Sequence, residues 1–435
     1  MNEMTRQEIA EYVLDELKKA GAQKASCAIA SGRKEEFNIE ANKFTLLRTL
    51  FDDALSVKAL YDGRKGVAAV NKLDKDSIDG AIGQCIALAK AGTPDEAEDI
   101  AEKIENKGFS RTIGGSDMNK LFSRTKEYLQ QVQDEYPKII LEGVTSAFNA
   151  GEGIYANSNG VMFTDESEGY GFSSSFVAKD GEKSSSLSGF GAGMLNLDMP
   201  LIAVGLHRTM IEESVKSLDT RMVDGKYVGK VIVTPQCDDM IWGTIIDCFL
   251  SDRSLIEGTS RWKDRLGKKV ADKKLTLRAV PLHPGIIGGE RFTRDGYESF
   301  DADLISGGIL ESFALSLYGA NKTGNKRAKN TAFGNIEIAP GDVALCDMIK
   351  SIDKGILLNR FAGAAPGPGG DVSGVAKNSF LIENGAITDA LSETMVSFNI
   401  VDILQDITAI SKERVEDGSS ILPWCCFDGI TISGK

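Results

Sequence analysis

Two-residue turn signals punctuate this chain from end to end, at Asp62-Gly63, Asn159-Gly160, Asp180-Gly181, Gly307-Gly308 and Asn384-Gly385. Pairs of this kind accept positive φ at both central positions, which a tight hairpin needs if its turn is to match the twist of its strands. A chain with five of them is committed to antiparallel sheet. With 435 residues, 42% of them hydrophobic, it also exceeds what one core organises, so two domains are expected.

Helical signals stand between the turns. Thr5 with Glu8 forms a capping box, Ile9, Val13 and Leu17 follow at four-residue spacing, and Gly21 stands at the end. Residues 34 to 40 alternate about Phe37 and Ile39, and residues 54 to 70 read as two apolar runs about Asp62-Gly63, which predicts a small sheet. Asp74 caps a second helix whose stripe of Ile78, Ile82, Cys85, Ile86 and Ala89 would pack on that sheet. The acidic stretch from Asp95 to Gly115 reads as an exposed connection. A third helix follows Ser116, carried by Leu121, Phe122, Thr125, Leu129 and Val132.

Strands return between Lys138 and Gly193. They are rich in small residues, with Gly169, Gly171, Gly189 and Gly191 among Ser173 to Ser175 and Ser184 to Ser186. Such strands are open either to backbone approach by an extended peptide or simply to solvent. A helix over about residues 198 to 218 closes the N-terminal half. The polar stretch Asp219 to Gly229 is the expected boundary, which gives an N-terminal α/β domain over residues 1–220 and a C-terminal β-rich domain over residues 226–435. There the strand from Lys230 runs into Thr234-Pro235, with Asp238 and Asp239 in the first turn, and predicts a helix carrying Ile241, Trp242, Ile245, Ile246, Phe249 and Leu250. Amphipathic segments from Asp342 to Lys354 and after Asn399, and a closing strand near Gly429, complete an α+β chain: mixed helices and antiparallel sheet first, a β-rich half with a few packed helices second.

The charge of −13 repels nucleic-acid phosphates, and no densely basic stretch offsets it. Direct nucleic-acid binding is not expected. The N-terminus has no apolar signal core and no long apolar run follows, so no membrane association is expected and a cytoplasmic location is. Seven cysteines are scattered without C-x-x-C spacing, and adjacent Cys425 and Cys426 fit an apolar strand better than a strained ring. Only two histidines occur, His207 and His283, each isolated and each suited to an ordinary polar role. Cys237 and Cys248 are eleven apart on one predicted helix, about 16 Å, too far to share a metal. Cys248, between Asp247 and Phe249, lacks the positive surroundings of a nucleophile.

Several segments together carry a resemblance. They are Arg64-Lys65-Gly66, Leu255 to Gly267 with Gly258-Thr259-Ser260 inside it, Thr323-Gly324-Asn325, Ala339-Pro340-Gly341-Asp342, Ile349 to Ile356, Leu381 to Gly385 and Ser392-Glu393. In this order the chain resembles the TldD/PmbA peptidase family, the "modulator of DNA gyrase" type, on its PmbA (TldE) side. In the TldD branch the helix before G-T-S carries H-E-x-x-x-H, whose two imidazoles hold zinc with a cysteine from near the C-terminus while the glutamate activates water.

In that frame the three helix positions fall on Gly243, Thr244 and Cys248, and the C-terminal cysteine stretch has no counterpart between Arg414 and Pro423. The resemblance therefore implies a chain without zinc or other cofactor and with no catalytic residue of its own. It would support a TldD-like metallopeptidase subunit in the proteolysis of extended or unfolded peptides. Gly258, Thr259 and Ser260 would either touch peptide or simply form a tight turn. Alternatives are a peptide-binding or regulatory protein linked to gyrase, and a self-contained hydrolase using Ser260 or Cys248. Isolated, such a chain could form a homodimer.

Overall fold

The computed structural model describes residues 4–237, 239–331 and 333–434. Helix α1 (Arg6–Lys19) starts at Thr5, whose hydroxyl accepts from Glu8 N while the Glu8 carboxylate accepts from Thr5 N, and it buries Ile9, Ala10, Val13 and Leu17. Three antiparallel strands follow: β1 (Lys24–Glu40), β2 (Lys43–Tyr61) and β3 (Arg64–Val70). They are longer than the alternation predicts. The β1–β2 turn passes through Ala41 and Asn42 at positive φ, a turn with no glycine to announce it. Asn42 is held by distant chain, since its Oδ1 accepts from Leu141 N at 2.8 Å.

Helix α2 (Lys75–Ala91) is capped by Asp74 and lays its predicted stripe on β2 and β3. The next segment differs from expectation. Residues 95 to 115 bury Ala97, Ile100 and Ala101 and contain a strand, β4 (Lys107–Arg111), parallel to a later one. Its Glu98 carboxylate is only 4% exposed and sits between Lys58, at 2.8 Å, and Lys65. Polar composition concealed this, because a buried carboxylate is tolerable when two ammonium groups meet it.

Helix α3 (Met118–Glu135) buries Leu121, Thr125, Tyr128 and Val132, whereas Phe122 lies on its exposed side at 42%. Strands β5 (Ile139–Asn157) and β6 (Met162–Asp180) form the hairpin expected at Asn159-Gly160. Among the described residues the first sheet has eight strands, with β3-β2-β1-β5-β6-β4 along its path and the strand Ser188–Met194 also on β6. The single helix expected over 198–218 is instead a 3₁₀ turn at Leu201–Ala203 and helix α4 (His207–Lys216). Gly205 separates them at φ +52°, which a continuous right-handed helix cannot contain.

The second sheet takes all its strands from Thr220 onward. The strand Lys226–Val233 lies between Lys354–Leu358, parallel, and Ile421–Ser433, antiparallel. Cys425 and Cys426 are buried in the last of these, with no disulfide between them. The predicted hairpin at Asn384-Gly385 forms, with both residues at positive φ. Among the described residues no helix is long and apolar enough to cross a membrane.

The segment after Thr234 is not one α-helix. It is a 3₁₀ turn at Pro235–Cys237, a π-helical turn at Asp239–Gly243, and a second at Ile246–Leu250. Asp238 of the predicted first turn lies outside the described residues, and the buried Thr234 hydroxyl has no hydrogen-bond partner among them. Ile241, Trp242, Ile245, Ile246, Phe249 and Leu250 are all buried in the core of this half, as their spacing predicts, although the winding is not that of a single α-helix.

Candidate functional site

The second π turn ends at Ser251, which caps the short helix α5 (Asp252–Ile256) by accepting from Ser254 N. The chain then reverses through Gly258 at φ +68°. Thr259 and Ser260 N–H groups both donate to Ser254 O, at 3.0 and 3.1 Å. The buried Ser260 hydroxyl donates to Phe249 O at 2.7 Å and accepts from Trp262 N at 3.0 Å. Gly258 and Thr259 are exposed; Ser260 ties the turn to the π segment from behind.

On the other side, the Cys248 thiol lies 3.6 Å from Pro366 O, under the exposed loop at residues 364–369. That loop is fixed by Arg261, which donates to Gly369 O at 3.0 Å, and by Asn399, which donates to the same oxygen at 2.9 Å. Phe249 and Trp262 meet beneath, ring centres 4.8 Å apart.

These positions do not fit zinc. Gly243 offers no ligand atom, the Thr244 hydroxyl donates to Met240 O at 3.0 Å, and burial with the neighbouring Asp247 charge raises the Cys248 thiol above its ordinary range, away from the thiolate a metal requires. Among the described residues no group of three or more His, Cys, Asp or Glu side chains could hold a metal ion. His207 is enclosed by Phe172, Phe176 and Phe190, bonded to Tyr128 at 2.9 Å, and pushed down to about 3 by burial. His283 accepts from Gly285 N through Nδ1. Neither is placed to activate Cys248 or Ser260, and the Ser260 hydroxyl is already engaged on both sides.

Beside the first sheet lies a cavity of about 540 Å³, lined by Gly151, Ser167, Gly169 and Gly193 on one side and by Ile287 and Gly418 of the second half on the other. Its glycines have a packing reason. A Cβ on Gly169 or Gly193 would come within 3.0 or 3.1 Å of Ile287, and Gly193 N donates to Asp417 O at 2.8 Å. The small residues of β6 and Ser188–Met194 thus let the two halves approach, and leave a smooth floor where they do not touch. Sequence reasoning found the strands but not this seam, because the partner loop is more than ninety residues away.

A second contact between the halves sits near Gln236. The Glu213 carboxylate on α4 accepts from Asn359 Nδ2 at 2.8 Å, Asn378 Nδ2 donates to Ser188 Oγ at 2.8 Å, and Arg360 donates to Leu187 O. Burial pushes Glu213 up to about 7. A carboxyl raised above its unfolded value stabilises the fold below pH 4.5, and that contribution is lost as pH rises through 7. Glu213→Gln keeps an acceptor for Asn359 and removes the ionisation. Its melting temperature is expected to match the parent chain at pH 5 and to exceed it at pH 8, a gain of about 2 kcal/mol; an equal gain at both values would refute the assignment.

Comparison with known proteins places this arrangement. Residues 84–218 match the model of the PmbA/TldA metallopeptidase central domain, and residues 224–434 match that of the C-terminal domain. The chain belongs to the PmbA/TldD metallopeptidase family. It is 23% identical to the metalloprotease PmbA of Escherichia coli O157:H7 over 96% of this chain and 93% of that one. It is 22% identical to a zinc metalloprotease TldD homolog of Saccharolobus solfataricus over 83% of each. Its fold matches TldE from Thermococcus kodakarensis with a TM-score of 0.83 at 19% identity, over 98% of this chain and all of that one. A Bacteroides thetaiotaomicron protein described as a modulator of DNA gyrase matches at 0.85 and 22%, over 99% of this chain and all of that one.

Proposed function

We propose that this PmbA/TldD family chain is a non-metal subunit that supports a TldD-type metallopeptidase acting on extended or unfolded peptides. One correspondence supports the reading: in the frame of the resemblance, the positions of the TldD branch's histidines and glutamate fall on Gly243, Thr244 and Cys248, and the Cys248 thiol faces Pro366. A subunit of this kind keeps the scaffold and contributes surface rather than chemistry. Gly258 and Thr259 offer an exposed turn beside the altered site, and the glycine-floored cavity admits close approach of a peptide backbone. The nucleophile alternatives have less support, since Ser260 is buried and bonded and Cys248 is held protonated by its surroundings.

The test is affinity purification of the chain from its native cell, with metal analysis of every species recovered. A co-purifying relative bearing H-E-x-x-x-H and zinc is expected, the mixture cleaving an unfolded protein in a chelator-sensitive manner while the chain alone does not. Stoichiometric zinc in the isolated chain, lost together with proteolysis in Cys248→Ala, would falsify the reading. Cleavage insensitive to chelator and abolished by Ser260→Ala would point to a self-contained hydrolase, and tight gyrase binding without a peptidase partner to a regulatory protein.

A further inference from the structure

Segments distant in sequence close around a small cavity of about 50 Å³ between the two halves. Ser188 and Glu213 line it from the first half, and Asn359, Arg360 and Asn378 from the second. Asn359 is only 2% exposed, and its partner fixes which way its amide points. A carboxylate only accepts, so the nitrogen must face Glu213, to which it donates at 2.8 Å, and the oxygen is the atom left over. Asn378 is fixed in the same way, because its nitrogen donates to Leu187 O at 3.2 Å and to Ser188 Oγ at 2.8 Å. Asn359 Oδ1 and Asn378 Oδ1 are both shut off from solvent, and neither has a hydrogen-bond partner among the described residues. Turning either amide over would set oxygen against oxygen, so the protein cannot relieve these atoms from within.

Whatever satisfies them must bring donor hydrogens or positive charge. The Glu213 carboxylate favours charge, since the partner that donates to it, Asn359, is neutral. Arg360 is the fixed positive charge on the lining, and it is exposed and donates to Leu187 O. One carboxylate and two amide oxygens are hard ligands, of the kind that hard cations take, and a single carboxylate balances a single charge. The volume has room for one ion and about one water, which excludes larger amines.

We infer that this cavity binds a small monovalent cation, held by Asn359 Oδ1, Asn378 Oδ1 and the Glu213 carboxylate. Two of these three ligands are amides, so the site lies outside the clusters of His, Cys, Asp and Glu that mark transition-metal sites. Because Glu213 belongs to one half and both asparagines to the other, the ion ties α4 to the strands of the C-terminal half. The site does not depend on the peptidase reading above.

The test is thermal unfolding of the full chain at pH 8 in potassium, sodium, ammonium or choline chloride at one ionic strength. Choline is too large for the cavity and supplies the same screening. The parent is expected to melt about 2–4 °C higher in the small cation that fits than in choline, with a shift that grows with the concentration of that cation. Glu213→Gln is expected to melt at one temperature in all four salts, so its advantage over the parent at pH 8 should narrow in the fitting salt. Asn378→Gly, which keeps the positive φ of this position, is expected to need more of the cation for the same shift. If neither variant folds, sodium NMR on the parent decides: a broadened line that a small excess of a competing monovalent cation sharpens supports the site, and a line that the competitor leaves unchanged overturns it. Equal melting of the parent in all four salts also overturns the inference and leaves the cavity to water. So does a salt-specific shift that Glu213→Gln retains, or a response to magnesium or calcium alone.

Discussion

Phe249→Ala is expected to lower the stability of the C-terminal half by about 3–5 kcal/mol, the range for removing a buried aromatic ring. Phe249 is fully buried, its ring centre lies 4.8 Å from that of Trp262, and its ring lies where a Cβ on Gly370 would come within 3.1 Å. Its backbone oxygen also accepts from Ser260, so the cavity opens directly beneath the turn at Gly258 and the loop over Cys248. The measurement is simple to localise. All three tryptophans, Trp242, Trp262 and Trp424, belong to this half, so the tryptophan-fluorescence transition in denaturant reports on it alone. A midpoint unchanged from the parent chain would mean that the π segment is not the anchor of this core.

Gly66→Ala should act on the other half. A Cβ at Gly66 would lie 1.9 Å from Cys85 O and 2.6 Å from Ala89 N, both backbone atoms of α2, so the helix must move off the sheet. Neither atom can rotate away as a side chain would, and the loss is expected to be about 3 kcal/mol. Because two separate cores are involved, the chain need not unfold in one step. The expected signature is a far-ultraviolet circular dichroism transition that moves to lower denaturant while the tryptophan transition stays in place. If both moved together, the two cores would be one cooperative unit.

Much of the N-terminal fold was legible because its signals are local. The Thr5–Glu8 box, the Asp74 cap and the stripe from Ile78 to Ala89 depend on residues within a few positions of one another, and each appears as expected. What failed in the reading depended on distant chain. Residues 43 to 53 do not alternate cleanly, because one flank of the strand is open and solvent reaches both faces. The turn at Ala41-Asn42 is held by Leu141 and Ile139 rather than by a glycine. Residues 95 to 115 look like a linker until Lys58 and Lys65 are placed beside Glu98.

The candidate site divides in the same way. That Gly243 and Thr244 supply no zinc ligand, and Cys248 at most one where a site needs at least three, follows from side-chain chemistry and needs no coordinates. The turn pairs likewise announced antiparallel sheet, and the sequence set His207 and His283 far from those positions. Only the tertiary structure decided that the segment bearing these positions winds as π turns, that Ser260 faces inward while Gly258 and Thr259 face solvent, and that Gly169 and Gly193 meet Ile287. Local pattern records a residue's own conformational preference; whether its side chain ends in a core, at a seam or in solvent depends on which remote segment arrives against it, and no short window of sequence contains that segment.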